Sequence, residues 1–202
     1  MNLAADAISV VKRFATKSNV LVRHSYGTAV VARVNRALHA TLNLNCIVLI
    51  SGADTVPSGG HPIFVLPVFI LRCLEPYLSR GFVRLAFSET TPPDLKHDCI
   101  AVNAKNDMYV CRCFYRQMEW ATAMDWESIR CPFLILHGED DKLVPIGKSG
   151  ALYRTLTYHA SKEVLSKSSF RHISNAGHQV HQEKAEDLRQ ILADFIHQNA
   201  HQ

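Results

Sequence analysis

The chain has 202 residues, of which 48% are apolar and 20% charged, with 9 Gly and 8 Pro. This composition suits one folded domain with a sizeable core and excludes collagen-like, low-complexity and disordered classes. The formal charge of +4 is scattered without runs of Lys or Arg, so nucleic acid is not an expected partner.

Residues 4–15 carry Ala4, Ala7, Ile8 and Val11 at helical spacing, which predicts an amphipathic helix. Residues 19–22 read as a short buried strand, and residues 25–38 as a second helix. Residues 46–50, Cys-Ile-Val-Leu-Ile, form an apolar strand closed by Ser51-Gly52. The alternation is then interrupted over residues 54–125. This segment opens on a turn cluster, Pro57-Ser58-Gly59-Gly60, and runs through an apolar helical stretch over 63–71. It breaks at Pro92-Pro93 and continues as helices over 93–106 and 108–121. Residues 132–136 are a third strand, a helix falls within 149–165, residues 170–173 are a fourth strand, and 183–197 are a last helix. Strands alternating with helices, two of them near-continuous Val/Ile/Leu runs, predict an α/β fold with a parallel sheet covered on both faces. The expected organisation is a single domain over 1–202, with residues 54–125 inserted between strands as a helical cap or lid.

The six cysteines are Cys46, Cys73, Cys99, Cys111, Cys113 and Cys131, with no C-x-x-C pair. A zinc site of the usual spacing is therefore not expected, and six cysteines are too sparse for a disulfide scaffold. Free, buried, intracellular thiols are the expectation. The first residues lack a basic stretch followed by an apolar core, so no secretory signal is read. The longest apolar stretch, 63–71, is about half a membrane span and contains Pro67. It is suited to lying on a membrane rather than crossing it. An intracellular location follows, cytoplasmic or peripheral to a membrane.

Ligands of open parallel sheets bind beyond the carboxyl ends of the strands. Three such ends carry reactive residue types. After the first strand comes Arg23-His24-Ser25-Tyr26-Gly27. A serine between strand and helix, with Gly two residues on, fits a nucleophile elbow aimed by a helix N-terminus. The plainer alternative is an N-cap serine. After the third strand, the run from His137 through Gly138, Glu139, Asp140, Asp141, Lys142, Leu143 and Val144 to Pro145 offers a carboxylate to orient a histidine, or only a turn. After the fourth, Ser174-Asn175-Ala176-Gly177-His178 offers a base, or one more solvated loop histidine among eleven. A serine hydroxyl is a poor nucleophile at neutral pH. It needs a base in hydrogen-bond reach, and the base needs a carboxylate to fix its tautomer. The chain order Ser, Asp, His at three strand ends is that of an α/β-hydrolase site.

On these motifs the sequence resembles the α/β-hydrolase fold superfamily, in its lipase, esterase and epoxide-hydrolase-like branch, and is similar to the abhydrolase-domain proteins of lipid metabolism. The resemblance implies hydrolysis of a carboxylic ester, with a small-molecule or lipid-like acyl substrate such as an acylglycerol. It implies Ser25 as nucleophile, His178 as base and the Tyr26 N–H as an oxyanion donor. The Gly-x-x-Asp-x-x-Val-Pro spacing selects Asp141 as the acid. Phe64, Leu66 and Phe69 are the implied substrate-binding side chains of the cap, which also suits peripheral membrane contact. No metal and no organic cofactor is implied.

Two departures from the family pattern carry expectations. Arg23 stands where the family elbow has Gly, and is expected either to push outward or to strain the turn, with displacement of Ser25 as the risk of both. The elbow arrives by residue 25, which leaves no room for the family's earlier strands and their oxyanion-hole loop. The strand at 19–22 is then expected to have an unpaired edge, open to self-association. Activity is expected to be impaired, and the alternative function is a catalytically inactive relative that binds or scaffolds.

Overall fold

β1 (Asn19–His24), β2 (Leu44–Ile50), β3 (Phe133–Gly138) and β4 (Ser169–Ile173) form one parallel sheet in the order β1-β2-β3-β4. The structure is a computed structural model, in which residues 3–54 and 62–199 are described. The two central strands are the Val/Ile/Leu runs. Every residue from Cys46 to Ile50 and from Phe133 to Gly138 is buried, because helices cover both faces.

Successive side chains of a strand point to opposite faces, so each strand feeds two cores. Ile47, Leu49, Phe133 and Ile135 pack with Val31, Ala32, Trp126, Leu152 and Leu156 on one face. Cys46, Val48, Ile50, Leu134 and Leu136 pack with Val180, Leu188 and Phe195 on the other. The first face is covered by α2 (Gly27–Leu38) and α7 (Ile146–His159), the second by α10 (Ala185–Asn199). α1 (Leu3–Phe14) lies against α2 through Leu3 and through Ala7, Ile8 and Val11, three of the positions its periodicity picks out. Between β2 and β3 run a 3₁₀ turn (Pro62–Val65) and four helices: α3 (Val68–Ala86), α4 (Pro93–Asn103), α5 (Met108–Arg116) and α6 (Ala123–Glu127). The turn cluster at residues 57–60 lies outside the described residues. No helix of the described residues is long and apolar enough to cross a membrane.

Several sequence-based boundaries move, each for a physical reason. The helix expected from residue 25 starts at Gly27, because Ser25 has φ 55, in the left-handed region. The helix expected within 149–165 starts at Ile146, directly after Pro145, and is followed by a separate α8 (Lys162–Ser166) capped by Ser161. The last helix is two pieces, α9 (Val180–Glu183) and α10, separated by Lys184 at φ −136. The six thiols are free, but not uniformly buried. Cys46 is buried in a central strand, Cys73 is exposed on α3 and the other four are intermediate. The outer edge of β1 pairs with no strand among the described residues.

Two glycines let the strand ends converge. A Cβ on Gly138 would lie 2.1 Å from the Gly177 carbonyl oxygen, and one on Gly177 would lie 2.6 Å from the Ala86 carbonyl oxygen. Gly81 in α3, by contrast, has nothing within 4 Å of that position. Gly138→Ala is expected to cost about 2 kcal/mol or more through overpacking against backbone. Gly81→Ala is expected to gain about 0.5–1 kcal/mol through helix propensity. Equilibrium urea unfolding of the two variants checks the contrast, and similar midpoints would contradict the packing described.

Candidate active site

β1 ends at His24, and the chain must turn sharply to enter α2. Ser25 makes that turn with φ 55, strained for a residue other than Gly. It is pinned from both sides. Its N–H donates to the Ile50 carbonyl at 2.8 Å, and its carbonyl accepts from the Thr28 hydroxyl at 2.7 Å. The turn leaves Ser25 Oγ 2.8 Å from Nε2 of His178, 153 positions away in sequence. Nδ1 of His178 lies 2.7 Å from Oδ2 of Asp141. Oδ1 of Asp141 accepts from the N–H groups of Leu143 (2.9 Å) and Val144 (2.8 Å), so the carboxylate is fixed by its own turn. Asp141 and His178 are buried, and Ser25 is half-buried. The arrangement is a hydroxyl, an imidazole and a carboxylate in series, able to move a proton from Ser25 to His178 while Asp141 steadies the ring. No described acceptor takes the Tyr26 N–H, which opens the first turn of α2 beside Ser25.

Arg23 does not displace Ser25. Its side chain is exposed and its aliphatic stem runs over Gly27, whose absent Cβ would lie 3.3 Å from Arg23 Cδ. The room that the expected Gly at position 23 would leave is supplied instead by Gly27 and solvent.

Of the residues read as substrate-binding, Phe64 stacks on Tyr115 at 4.1 Å between centroids. Tyr115 meets Phe114, and Phe114 meets Tyr26 edge-on, so an aromatic series joins Phe64 to the residue after Ser25. Leu66 is half-buried, and its carbonyl accepts from Arg112 Nε at 2.9 Å. Phe69 is 69% exposed and makes no ring contact with the described aromatic side chains.

The sequence reading passed over four groups around this centre. His24 Nε2 lies 2.8 Å from the His178 carbonyl, and the Ser51 hydroxyl donates to that same carbonyl at 3.3 Å. Since a carbonyl only accepts, His24 carries its proton on Nε2. Glu183 accepts from the N–H of Gly177 and of Ser88, each at 2.7 Å, and from Thr91 Oγ1. It thereby ties the His178 loop to the turn between α3 and α4. His137 lies behind Asp141. The only advance signal was position: His24 and His137 stand at strand ends within the motifs themselves. No cluster of metal-ligating side chains occurs among the described residues.

A parallel sheet with a left-handed serine elbow after one strand, and acidic and histidine loops after later strands, is the architecture of an α/β hydrolase. The chain belongs to the Alpha/beta hydrolase family, whose model matches residues 1–191. It is similar to Protein ABHD8 of Homo sapiens, 27% identical over 203 residues, covering 96% of this chain and 43% of that protein. Protein ABHD8 of Bos taurus is 26% identical with the same coverage. The chain thus spans less than half the length of the curated relatives it matches. In fold it is similar to a thermophilic esterase from Thermogutta terrifontis, with TM-score 0.79 and 18% identity over 98% of this chain and 72% of that one. It is also similar to a bromoperoxidase from Bacillus anthracis, with TM-score 0.70 and 18% identity over 96% and 72%.

Burial pushes the His24 imidazole down from the ordinary 6.5 to about 4, with the neighbouring His178 acting in the same direction. Burial lowers His137 and His181 as well. Unfolded histidine binds a proton near pH 6.5, so between about 4 and 6.5 the unfolded chain holds more protons. Stability is then full above this window and falls as pH drops through it, His24 alone contributing at most about 3 kcal/mol. His24→Gln keeps a donor to the carbonyl but does not titrate, so it should flatten the fall. Urea midpoints of both proteins from pH 7 to 4 make the comparison. Parallel curves would mean that His24 is not held neutral.

Proposed function

We propose that the chain is a serine hydrolase of carboxylic esters, acting on lipid-like acyl substrates. The observation that carries this reading is the series Ser25 Oγ, His178, Asp141, at 2.8 and 2.7 Å, on a serine held at φ 55. In the proposed reaction Ser25 Oγ attacks the ester carbonyl carbon as His178 Nε2 takes its proton. The oxyanion that forms faces the Tyr26 N–H and the positive end of α2, where preorganised donors stabilise the transition state. Collapse breaks the bond to the leaving oxygen, which takes the proton from His178. Water, deprotonated by the same ring, then attacks the acyl-serine, and the proton returns to Ser25. Asp141 stays ionised and steadies the imidazolium. The Thermogutta terrifontis protein that the chain resembles in fold is an esterase, which is in keeping with this chemistry.

The acyl substrate class is supported by the apolar character of the helical insertion. Phe64 leads by ring contacts to Tyr26, while Val65, Phe69, Val102, Tyr109 and Val110 are exposed. The same exposed side chains support peripheral contact with a lipid surface. The open edge of β1, with Val22 exposed, supports self-association.

A second reading, a binding protein without turnover, is favoured by one feature. Among the described residues the Tyr26 N–H is a single oxyanion donor beside Ser25, and a site short of one donor loses about 10²–10³ in rate. Reaction with a fluorophosphonate probe and hydrolysis of a nitrophenyl butyrate ester separate the two. The hydrolase reading expects labelling of the unaltered chain, no labelling of Ser25→Ala, and turnover lowered at least ~10³-fold in both Ser25→Ala and His178→Ala. Labelling that survives Ser25→Ala rejects the nucleophile. A folded chain that neither labels nor turns over ester supports the binding reading.

A further inference from the structure

His137 lies near the end of β3 with no solvent exposure, and both of its ring nitrogens face oxygen. Nε2 is 2.8 Å from the Val144 carbonyl oxygen and 3.3 Å from Oδ2 of Asp141. Nδ1 is 2.5 Å from Ser149 Oγ, which is itself 2.6 Å from the Gly52 carbonyl oxygen.

Counting protons fixes the state of Nε2. A carbonyl and an ionised carboxylate only accept, so Nε2 must carry a proton. The Ser149 hydroxyl has one proton to give. If it goes to Nδ1, His137 is neutral with its proton on Nε2. If it goes to Gly52, His137 is a cation with protons on both nitrogens. Either way an N–H points at the Val144 carbonyl and lies beside Asp141. That carbonyl belongs to the residue whose own N–H holds Oδ1 of Asp141. His137 therefore acts on the carboxylate twice: through its N–H dipole, and by fastening the turn that cradles it.

We infer that His137 is a positioning residue for Asp141: its Nε2–H fastens the Val144 carbonyl of the turn that cradles the carboxylate, and the same N–H dipole beside Oδ2 takes up part of the charge otherwise directed at His178. Its effect on rate rests on the hydrolase reading above; its effect on the His178 ring does not. The titratable groups facing the pair are Asp141 and His178 themselves, His172 on β4 opposite His137, and His24 and His181 beyond His178. Without the His137 N–H dipole beside it, the Asp141 charge acts undivided on His178 and favours its cation.

The test follows the His178 ring by NMR across pH in three proteins. In His137→Phe, which removes both ring nitrogens, the His178 titration midpoint should move to higher pH. Ester turnover near neutral pH should fall about tenfold, the size of one net hydrogen bond lost from the turn that orients Asp141. In His137→Gln, whose side-chain amide donates from about the Nε2 position, the midpoint should return toward that of the unaltered chain. A midpoint unmoved in folded His137→Phe, or moved equally in both variants, overturns the inference. Should the Phe variant fail to fold, ¹⁵N spectra of the unaltered chain decide. His137 must show a proton on Nε2 at neutral pH, and a bare Nε2 overturns the inference. A midpoint that moves as expected in a chain without ester turnover would reject the hydrolase reading and leave this one standing.

Discussion

A charge removed from water must be surrounded by donors, and the Asp141 carboxylate is completely removed from water. Much of the local structure follows from that requirement. The turn from Asp141 to Val144 folds back so that two of its N–H groups reach Oδ1. Oδ2 then faces two imidazoles, His178 from the loop after β4 and His137 from β3 itself. Each of these rings needs a partner for its other nitrogen. For His178 that partner is Ser25, and for His137 it is Ser149. The ends of β1, β3 and β4 and the start of α7 are thus connected through one carboxylate. Removing any single donor leaves a buried group short of a partner, which costs more than the intact bond contributes.

A second carboxylate does for the loops what Asp141 does for the rings. Glu183 takes the N–H of Gly177, next to His178, and the N–H of Ser88 in the turn that follows α3. Beside it the Gln179 N–H donates to the Ala86 carbonyl, and Ser88 Oγ donates to Asp140. The close approach of Gly177 to Ala86 and Phe87 leaves no space for a side chain. The helical insertion is therefore not merely laid over the sheet: its α3–α4 turn is bonded to the backbone that carries His178. Displacing that turn would pull on Gly177 and so on the ring that faces Ser25.

The sheet was legible in the sequence because its central strands are buried on both faces. Residues 46–50 and 133–136 must be apolar without interruption, and no surface helix produces such a run. Ser25, Asp141 and His178 were legible because each follows a strand, in an order that a parallel sheet brings to one edge. What could not be read were groups whose meaning lies in a partner. His137 and His24 looked like motif filler until both were found with ring nitrogens on carbonyl oxygens. Glu183 sat in the expected last helix with nothing to mark it as a clamp. For Arg23 the letter implies bulk at a tight crossing and leaves two outcomes, an outward side chain or a strained turn. The side chain runs outward over Gly27, and Ser25 keeps its place on His178.

The geometry also explains why only one of the neighbouring imidazoles suits the role of base. His24 and His137 both lie near this centre, and burial disfavours protonation of each. Yet each has committed Nε2 as a donor to a carbonyl, and Nδ1 of His137 is occupied by Ser149. Neither has a nitrogen lone pair facing Ser25. His178 spends Nδ1 on a carboxylate, which pins the remaining lone pair on Nε2, and Nε2 is the atom that meets the hydroxyl. Its own backbone carbonyl is held by His24 and Ser51, so the backbone that carries the ring is fastened to two strand ends. Burial pushes both neighbouring histidines toward the neutral form, His24 fastening the backbone of His178 and His137 the turn of Asp141. That leaves Asp141 as the nearest full charge to answer a proton arriving on His178.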